Sequence, residues 1–308
     1  SEIRALLAHP KVPGSLDRCA LDQYLTFDYV PAPRTMFREI RKLPAANTLI
    51  CEAGTIRLER YWQPRIQPER GVPEAEWEER FLSELRASVR RHMMADVPLG
   101  AFLSGGLDSS TLVALMAECG PVRTFSVAFR EESFDESGPA RRVAALFGTE
   151  HHEEVFTAER CLELLPHLPQ VLDEPLADPS VLPTWFLSRM TRPHVKVALS
   201  GEGGDELLAG YPTYPAAHLA EALRRLPRPL LRVLRNLVER LPVSTRNWSL
   251  DFRLKRFLRY LEEAPGPRQV LWVGSFSPAE KAGLYGPGMQ GRWETFAPLD
   301  GLPREGLD

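Results

Sequence analysis

No run approaches the ~18 uninterrupted apolar residues needed to span a bilayer, and the opening Ser1-Glu2-Ile3-Arg4 is not a secretory leader. Cysteines are few and scattered: Cys19, Cys51, Cys119 and Cys161 form no C-x-x-C pair. That argues against a zinc motif and a disulfide framework. Neither sign of charge dominates, because 38 Lys+Arg against 41 Asp+Glu leave a formal −3. With 44% hydrophobic and 26% charged residues, the composition excludes disordered and collagen-like classes. Tandem repeats and low-complexity tracts are absent. We therefore expect a soluble protein of a reducing, cytoplasmic compartment, with no membrane partner. The sequence also lacks an initiator methionine, carries 28 prolines, and stops at Gly306-Leu307-Asp308 after a Pro/Gly-rich stretch. From this we expect an internal fragment, its 308 residues amounting to roughly two domains of ~150 residues each.

Residues 1–63 read as helices near Glu2–Ala8 and Asp17–Thr26, then a hairpin of Asn47–Ile50 with Thr55–Arg60 about a Glu52-Ala53-Gly54 turn. Two strands alone are marginal, so this piece should need a neighbour to pack on. Between Pro73 and Ala95, the four-residue recurrence of Trp77, Phe81, Leu85, Val89 and Met93 predicts an amphipathic helix with a core-facing stripe. Strand and helix then alternate. Strands are expected at Leu99–Leu103, Thr124–Phe129, His151–Phe156 and Lys196–Leu199, and helices at Ser109–Glu118, Glu136–Phe147, Glu159–Val171 and Leu182–Thr191. Short apolar strands joined by crossover helices imply an α/β fold: a parallel, doubly wound sheet that binds ligands beyond the carboxyl ends of its strands. The remainder is helical with proline breaks. Between Glu221 and Tyr260 eleven Lys/Arg face three acids, but they interleave with leucines, as on the solvated face of packed helices. We expect no nucleic-acid partner.

The chemistry concentrates in Leu103-Ser104-Gly105-Gly106-Leu107-Asp108-Ser109-Ser110, set between a strand and a helix. Two glycines let backbone approach a phosphate chain, and the N–H groups opening the next helix point at it. Ser104, Ser109 and Ser110 add hydroxyls. Asp108 makes sense beside phosphates if a divalent cation bridges them, which implies magnesium. The segment lacks the lysine of a G-x-x-x-x-G-K-[ST] loop and the spacing of a G-x-G-x-x-G turn. A second strand–glycine turn–helix unit, Ser200-Gly201-Glu202-Gly203-Gly204-Asp205-Glu206, brings further carboxylates to the same rim, and Asp108 with Asp205 makes a two-carboxylate Mg²⁺ site. Adjacent His151 and His152 point to opposite faces of a strand and do not form a metal pair.

The first segment resembles the pyrophosphate-binding loop of the ATP pyrophosphatase (PP-loop) family. That match alone leaves asparagine, argininosuccinate and GMP synthetases, tRNA thiolases and β-lactam synthetase open. The second, S-G-E-G-G-D-E-L-x-x-G-Y, resembles the other signature of glutamine-hydrolysing asparagine synthetases. Further similarity lies in Phe125-Ser126-Val127-Ala128-Phe129, Phe134-Asp135-Glu136, Gly148-Thr149-Glu150-His151-His152 and Asp173-Glu174-Pro175. Residues 24–31, 37–44 and 60–62 resemble the glutaminase–synthetase junction.

The resemblance implies a junction remnant at 1–63, an ATP-binding synthetase domain at 74–215 and a truncated helical part at 216–308. It further implies ATP and Mg²⁺, and aspartate and ammonia as substrates, the ammonia coming from glutamine through a glutaminase domain expected to be absent here, since the family's enzymes open with a catalytic cysteine and this sequence opens with Ser1. By the same resemblance, Leu103 and Val127 contact adenine or ribose, and Ser104, Gly105, Gly106, Asp108, Ser109 and Ser110 hold the pyrophosphate and metal. Ser200 and Gly201 line the nucleotide, Glu202 supports formation of β-aspartyl-AMP, and Asp205 completes the metal site. The family's K-x-D-R-type lysine has no counterpart, and Lys196 and Lys255 are the substitutes considered. A β-lactam synthetase-like enzyme and a non-catalytic nucleotide binder are the alternatives, and assembly as a homodimer is left open.

Overall fold

The structure is a computed structural model describing residues 2–286; the expected helical remainder beyond them lies outside the described residues. It begins with α1 (Ile3–Leu7), α2 (Arg18–Phe27) and the hairpin β1 (Asn47–Glu52) and β2 (Thr55–Arg60). The side chain of Asp17 caps α2 by accepting from the Cys19 and Ala20 N–H groups. The hairpin turns at Ala53 and Gly54, both at positive φ, the backbone that matches the strands' twist. Every residue of β2 is exposed, as are Tyr61 and Trp62 beyond it. No described helix is long and apolar enough to cross a membrane, and all four cysteines are free thiols.

The central layer follows from α3 (Glu74–His92), β3 (Leu99–Phe102), α4 (Leu107–Ala117), β4 (Arg123–Phe129), α5 (Ser137–Phe147), β5 (Glu150–Phe156), α6 (Ala158–Leu164), α7 (Leu168–Val171), α8 (Val181–Thr191) and β6 (Val197–Leu199). The four long-range strands pair in parallel in the order β5-β4-β3-β6. Residues of α3, α4 and α5 pack one cluster around Val89, Val113, Met116, Ala140 and Ala144. Phe156, Leu164, Leu182 and Phe186 join α6 and α8 to β4 and β5 in another. The sheet is thus doubly wound. The chain advances from β3 to β4 to β5 and then returns to the other side of β3. The β3/β6 boundary is therefore the topological switch point where a crevice opens.

Two expectations are corrected. The apolar stripe of α3 is buried only in its C-terminal half: Val89 is 4% exposed, while Trp77 and Phe81 are 43% and 45% exposed. Leu85, Val89 and Met93 reach the core, whereas Trp77 and Phe81 lie about 120° and about 80° round the helix from Val89. The helix expected at Glu159–Val171 is split into α6, a 3₁₀ turn at Leu165–His167 and α7, because Pro166 and Pro169 cannot donate to the preceding turn.

The last elements are α9 (Gly204–Leu208), α10 (Thr213–Leu223), α11 (Arg228–Glu239), α12 (Leu250–Arg259), α13 (Pro265–Val273) and α14 (Pro278–Leu284). Helices α10 to α13 surround Ala220, Leu231, Leu258, Leu261 and Trp272. Several basic residues here bind the fold itself: Arg268 pairs with Glu221, Arg235 with Glu262, and Lys255 donates to the Leu241 carbonyl. The N-terminal segment is tied in from two sides. Arg4 pairs with Asp173 and the Met36 N–H donates to Glu174. On the other side the buried Lys281 ammonium donates to Asp22 Oδ1 at 2.7 Å and Thr26 Oγ1 at 2.8 Å. Replacing Lys281 with Met keeps the stem but removes the cation facing Asp22, leaving the Tyr285 hydroxyl as a donor to that carboxylate; it is expected to cost about 2 kcal/mol in urea unfolding. An unchanged midpoint would show that this tie carries no weight.

Candidate active site

The switch point is occupied by two glycine-rich turns. Strand β3 continues through Leu103, whose N–H donates to the Phe125 carbonyl and whose own carbonyl accepts from Ser126 Oγ. The chain then turns at Gly105 with φ +82, a backbone region that side chains rarely tolerate. A Cβ there would also lie 2.5 Å from the Ala140 nitrogen at the start of α5. Helix α4 starts at Leu107, so the N–H groups of Leu107, Asp108 and Ser109 have no partner within the helix. Ser104 Oγ and Ser109 Oγ, 3.0 Å apart, clamp the turn, and the Gly106 N–H donates to Ser104 Oγ.

The turn after β6 fits directly onto this one. A Cβ on Gly204 would stand 2.5 Å from Asp108 Oδ2, and one on Gly201 would stand 2.9 Å from the Ser109 nitrogen. The missing side chains are therefore what lets the Asp108 carboxylate lie between the two turns. Asp205 opens α9, and its Oδ1 lies where a Cβ of Gly210 would be only 2.1 Å away.

Together the turns wall a cavity of about 1030 Å³. Of the residues singled out from the sequence, Leu103, Ser104, Gly106, Asp108, Ser109, Val127, Ser200, Gly201, Glu202 and Asp205 line it. Gly105 lies behind the turn against α5, and Ser110 is not on the lining; its hydroxyl is buried with no hydrogen-bond partner among the described residues. Neither Lys196, ahead of β6, nor Lys255 reaches the cavity.

The structure adds residues to which the sequence assigned no role. Glu136, Phe134, Ser180 and Thr184 face the same space, and the Phe134-Asp135-Glu136 motif was the available signal. Asp135 accepts from the Phe129 and Ser137 N–H groups and from Ser137 Oγ. The Phe129 N–H foremost holds its carboxyl below the ordinary range, and Asp135 thereby fixes the link from β4 to α5. Partial burial, aided by the Asp135 charge, pushes Glu136 up. Tyr211 donates to Glu206 Oε1 at 2.7 Å, which lowers the Glu206 carboxyl and pushes the phenol up to about 12.

Among the described residues, the lining holds five carboxylates (Asp108, Glu136, Glu202, Asp205 and Glu206) and no Lys, Arg or His. An anion-cradling helix start facing so many acids suits a polyphosphate only in company with divalent cations, so this donor set fits Mg²⁺.

Comparison with known proteins agrees with the two signatures. The family model described as asparagine synthase matches residues 80–279. The chain belongs to the asparagine synthase family. Residues 1–62 match a glutamine amidotransferase domain. Asparagine synthetase (glutamine-hydrolysing) 1 of Bacillus subtilis is 36% identical over 266 residues, covering 84% of this chain and 40% of that protein. The putative asparagine synthetase (glutamine-hydrolysing) 2 of Methanocaldococcus jannaschii is 35% identical over 252 residues, covering 79% of this chain and 48% of that protein. The chain thus spans less than half the length of these relatives. An NMN synthetase structure from Francisella tularensis overlaps 66% of this chain and 94% of that chain at 12% identity, with a TM-score of 0.35.

The Glu206–Tyr211 bond fixes the rim of this family member's cavity and is open to direct test. In ultraviolet titration, the wild type minus Tyr211→Phe difference should show a tyrosine ionising near pH 12. On a Glu206→Gln background that ionisation should fall toward the ordinary ~10. An identical titration in both backgrounds would rule out the bond.

Proposed function

We propose that this chain carries the nucleotide-binding part of an asparagine synthetase, which adenylates the side-chain carboxylate of aspartate with ATP and passes it to ammonia. The observation that carries this reading is the cavity at the β3/β6 switch point, where an anion-binding turn and helix start face five carboxylates. The sequence divides accordingly into a glutaminase junction at 1–63, the ATP-binding part at 74–215 and helices from 216 onward.

Leu103 and Val127 lie against adenine and ribose in this reading. The Ser104–Ser110 turn receives the β- and γ-phosphates with backbone N–H groups and the Ser104 and Ser109 hydroxyls, while Ser200 and Gly201 flank the nucleotide. Asp108 and Asp205 are the residues that would hold Mg²⁺, which when bound neutralises charge on the phosphates. A β-carboxylate oxygen of aspartate attacks the α-phosphorus. The bond from that phosphorus to the bridging oxygen breaks, and pyrophosphate departs, giving β-aspartyl-AMP. Ammonia then attacks the acyl carbon, loses a proton and expels AMP, leaving asparagine. Glu202, on the rim of the second turn, supports formation of β-aspartyl-AMP in this reading. The protein contributes mainly alignment and fixed charge, since the chemistry belongs to the substrates.

Among the described residues the lining has no basic side chain, which favours a second reading, a nucleotide-binding segment that turns over slowly, because a phosphate in transfer gains several kcal/mol from a fixed cation. One assay separates the two. With ATP, Mg²⁺, aspartate and ammonium, equimolar asparagine, AMP and pyrophosphate are expected, and Asp108→Asn should lower their rate by about 100-fold. AMP without asparagine would point to a β-lactam synthetase-like enzyme acting on another carboxylate. No AMP at all, with Mg·ATP still raising the melting temperature, would leave the binding segment.

A further inference from the structure

A different cluster forms at the opposite end of the sheet. Strand β5 starts at Glu150, and alternation puts Glu150 and His152 on one face and His151 on the other. His151 accordingly meets Thr124 Oγ1 across the sheet, while His152 stacks on Phe125 with centroids 5.2 Å apart and planes 12° apart. The connection from α8 to β6 passes beneath this end and brings His194 alongside. The His152 and His194 rings are 4.0 Å apart, tilted by 35°, and Glu150 Oε1 lies 3.0 Å from His152 Nε2. One donor atom from each of Glu150, His152 and His194 falls within 4.8 Å of the other two.

We propose that Glu150, His152 and His194 form a binding site for a divalent transition metal, with Zn²⁺ as its natural occupant. Two imidazole nitrogens and one carboxylate oxygen make a donor set that Zn²⁺ accepts, water filling the fourth position. Around a tetrahedral ion with bonds of about 2.0–2.1 Å, donors stand about 3.3 Å apart. The Glu150–His152 pair is already near that spacing, and ring rotation at His194 supplies the rest.

Supporting groups hold the ligands ready. Arg123 Nε donates to the other Glu150 oxygen at 2.9 Å, and Arg123 Nη1 donates to the His194 carbonyl at 3.1 Å. One guanidinium therefore orients the carboxylate and anchors the backbone of the third ligand, as the outer groups around metal ligands do. Its positive charge moderates the affinity, which points to a micromolar site and not an irreversible one. Glu150 and His194 are exposed and His152 is half-buried, so an ion can enter from solvent. The ion would pin the α8–β6 connection to the edge strand β5, steadying the strand that delivers the second glycine turn. Nothing in the proposed adenylation uses it.

The full chain, stripped with chelator and titrated with Zn²⁺ against a chromophoric competitor, is expected to bind one equivalent with micromolar affinity and to melt a few degrees higher. His152→Asn and His194→Asn should each weaken that site at least tenfold, while His151→Asn leaves it unchanged. X-ray absorption of the wild-type zinc form should show scattering from two imidazoles, a readout that does not depend on any variant folding. Absence of saturable binding, equal affinity in His194→Asn, or a zinc shell without imidazole would overturn the proposal.

Discussion

The Asp108 carboxylate lies in space that only glycine can leave, between the turn after β3 and the turn after β6. The rest of the site depends on that contact. Because β6 returns beside β3, the carboxyl ends of the two strands are neighbours, and the turns that follow them must meet. A Cβ at Gly201 would stand 2.9 Å from the Ser109 nitrogen and press the turns apart, and one at Gly204 would stand 2.5 Å from Asp108 Oδ2 and displace the carboxylate. Asp108 would then leave the wall it shares with Ser104, Glu202 and Asp205. The parallel order of the sheet, the glycines and the acidic residue are thus one arrangement seen at three scales.

Electrostatics gives that arrangement its direction. Five carboxylates around an anion-binding helix start repel each other and any phosphate until divalent cations arrive. Under the proposed function, such a lining favours a metal–nucleotide complex over the free nucleotide. Hydrogen bonds hold the surroundings still: Asp135 locks the entry to α5, and Ser104 with Ser109 closes the first turn. Rigid donors aimed at a charged ligand need little rearrangement on binding, which is the physical basis of alignment in phosphate chemistry.

Much of this was legible because local rules decide it. Ala53-Gly54 marks the hairpin, alternating strands and helices mark the parallel sheet, and the two glycine-rich segments mark the strand ends where ligands bind. What the sequence hid was set by tertiary geometry. The four-residue recurrence on α3 drifts about 40° per step from the 3.6-residue turn, so Trp77 and Phe81 come to lie well round the helix from Val89 and stay exposed. Ser110 belongs to the signature by position, but one helical step turns it off the cavity wall. His194 is distant from His152 in the chain, and only the crossover into β6 brings them together. Glu136 stood in a visible motif whose partner, the cavity, did not exist until the chain folded.

The central claim is that the two glycine-rich turns form a single Mg·ATP site. Hydrogen–deuterium exchange with and without Mg·ATP tests it most directly. Simultaneous protection of residues 103–110 and 198–211, lost together when magnesium is withheld or when Gly204 is changed to Ala, is the outcome this account requires. Protection confined to the first turn, or equally strong without magnesium, would contradict it.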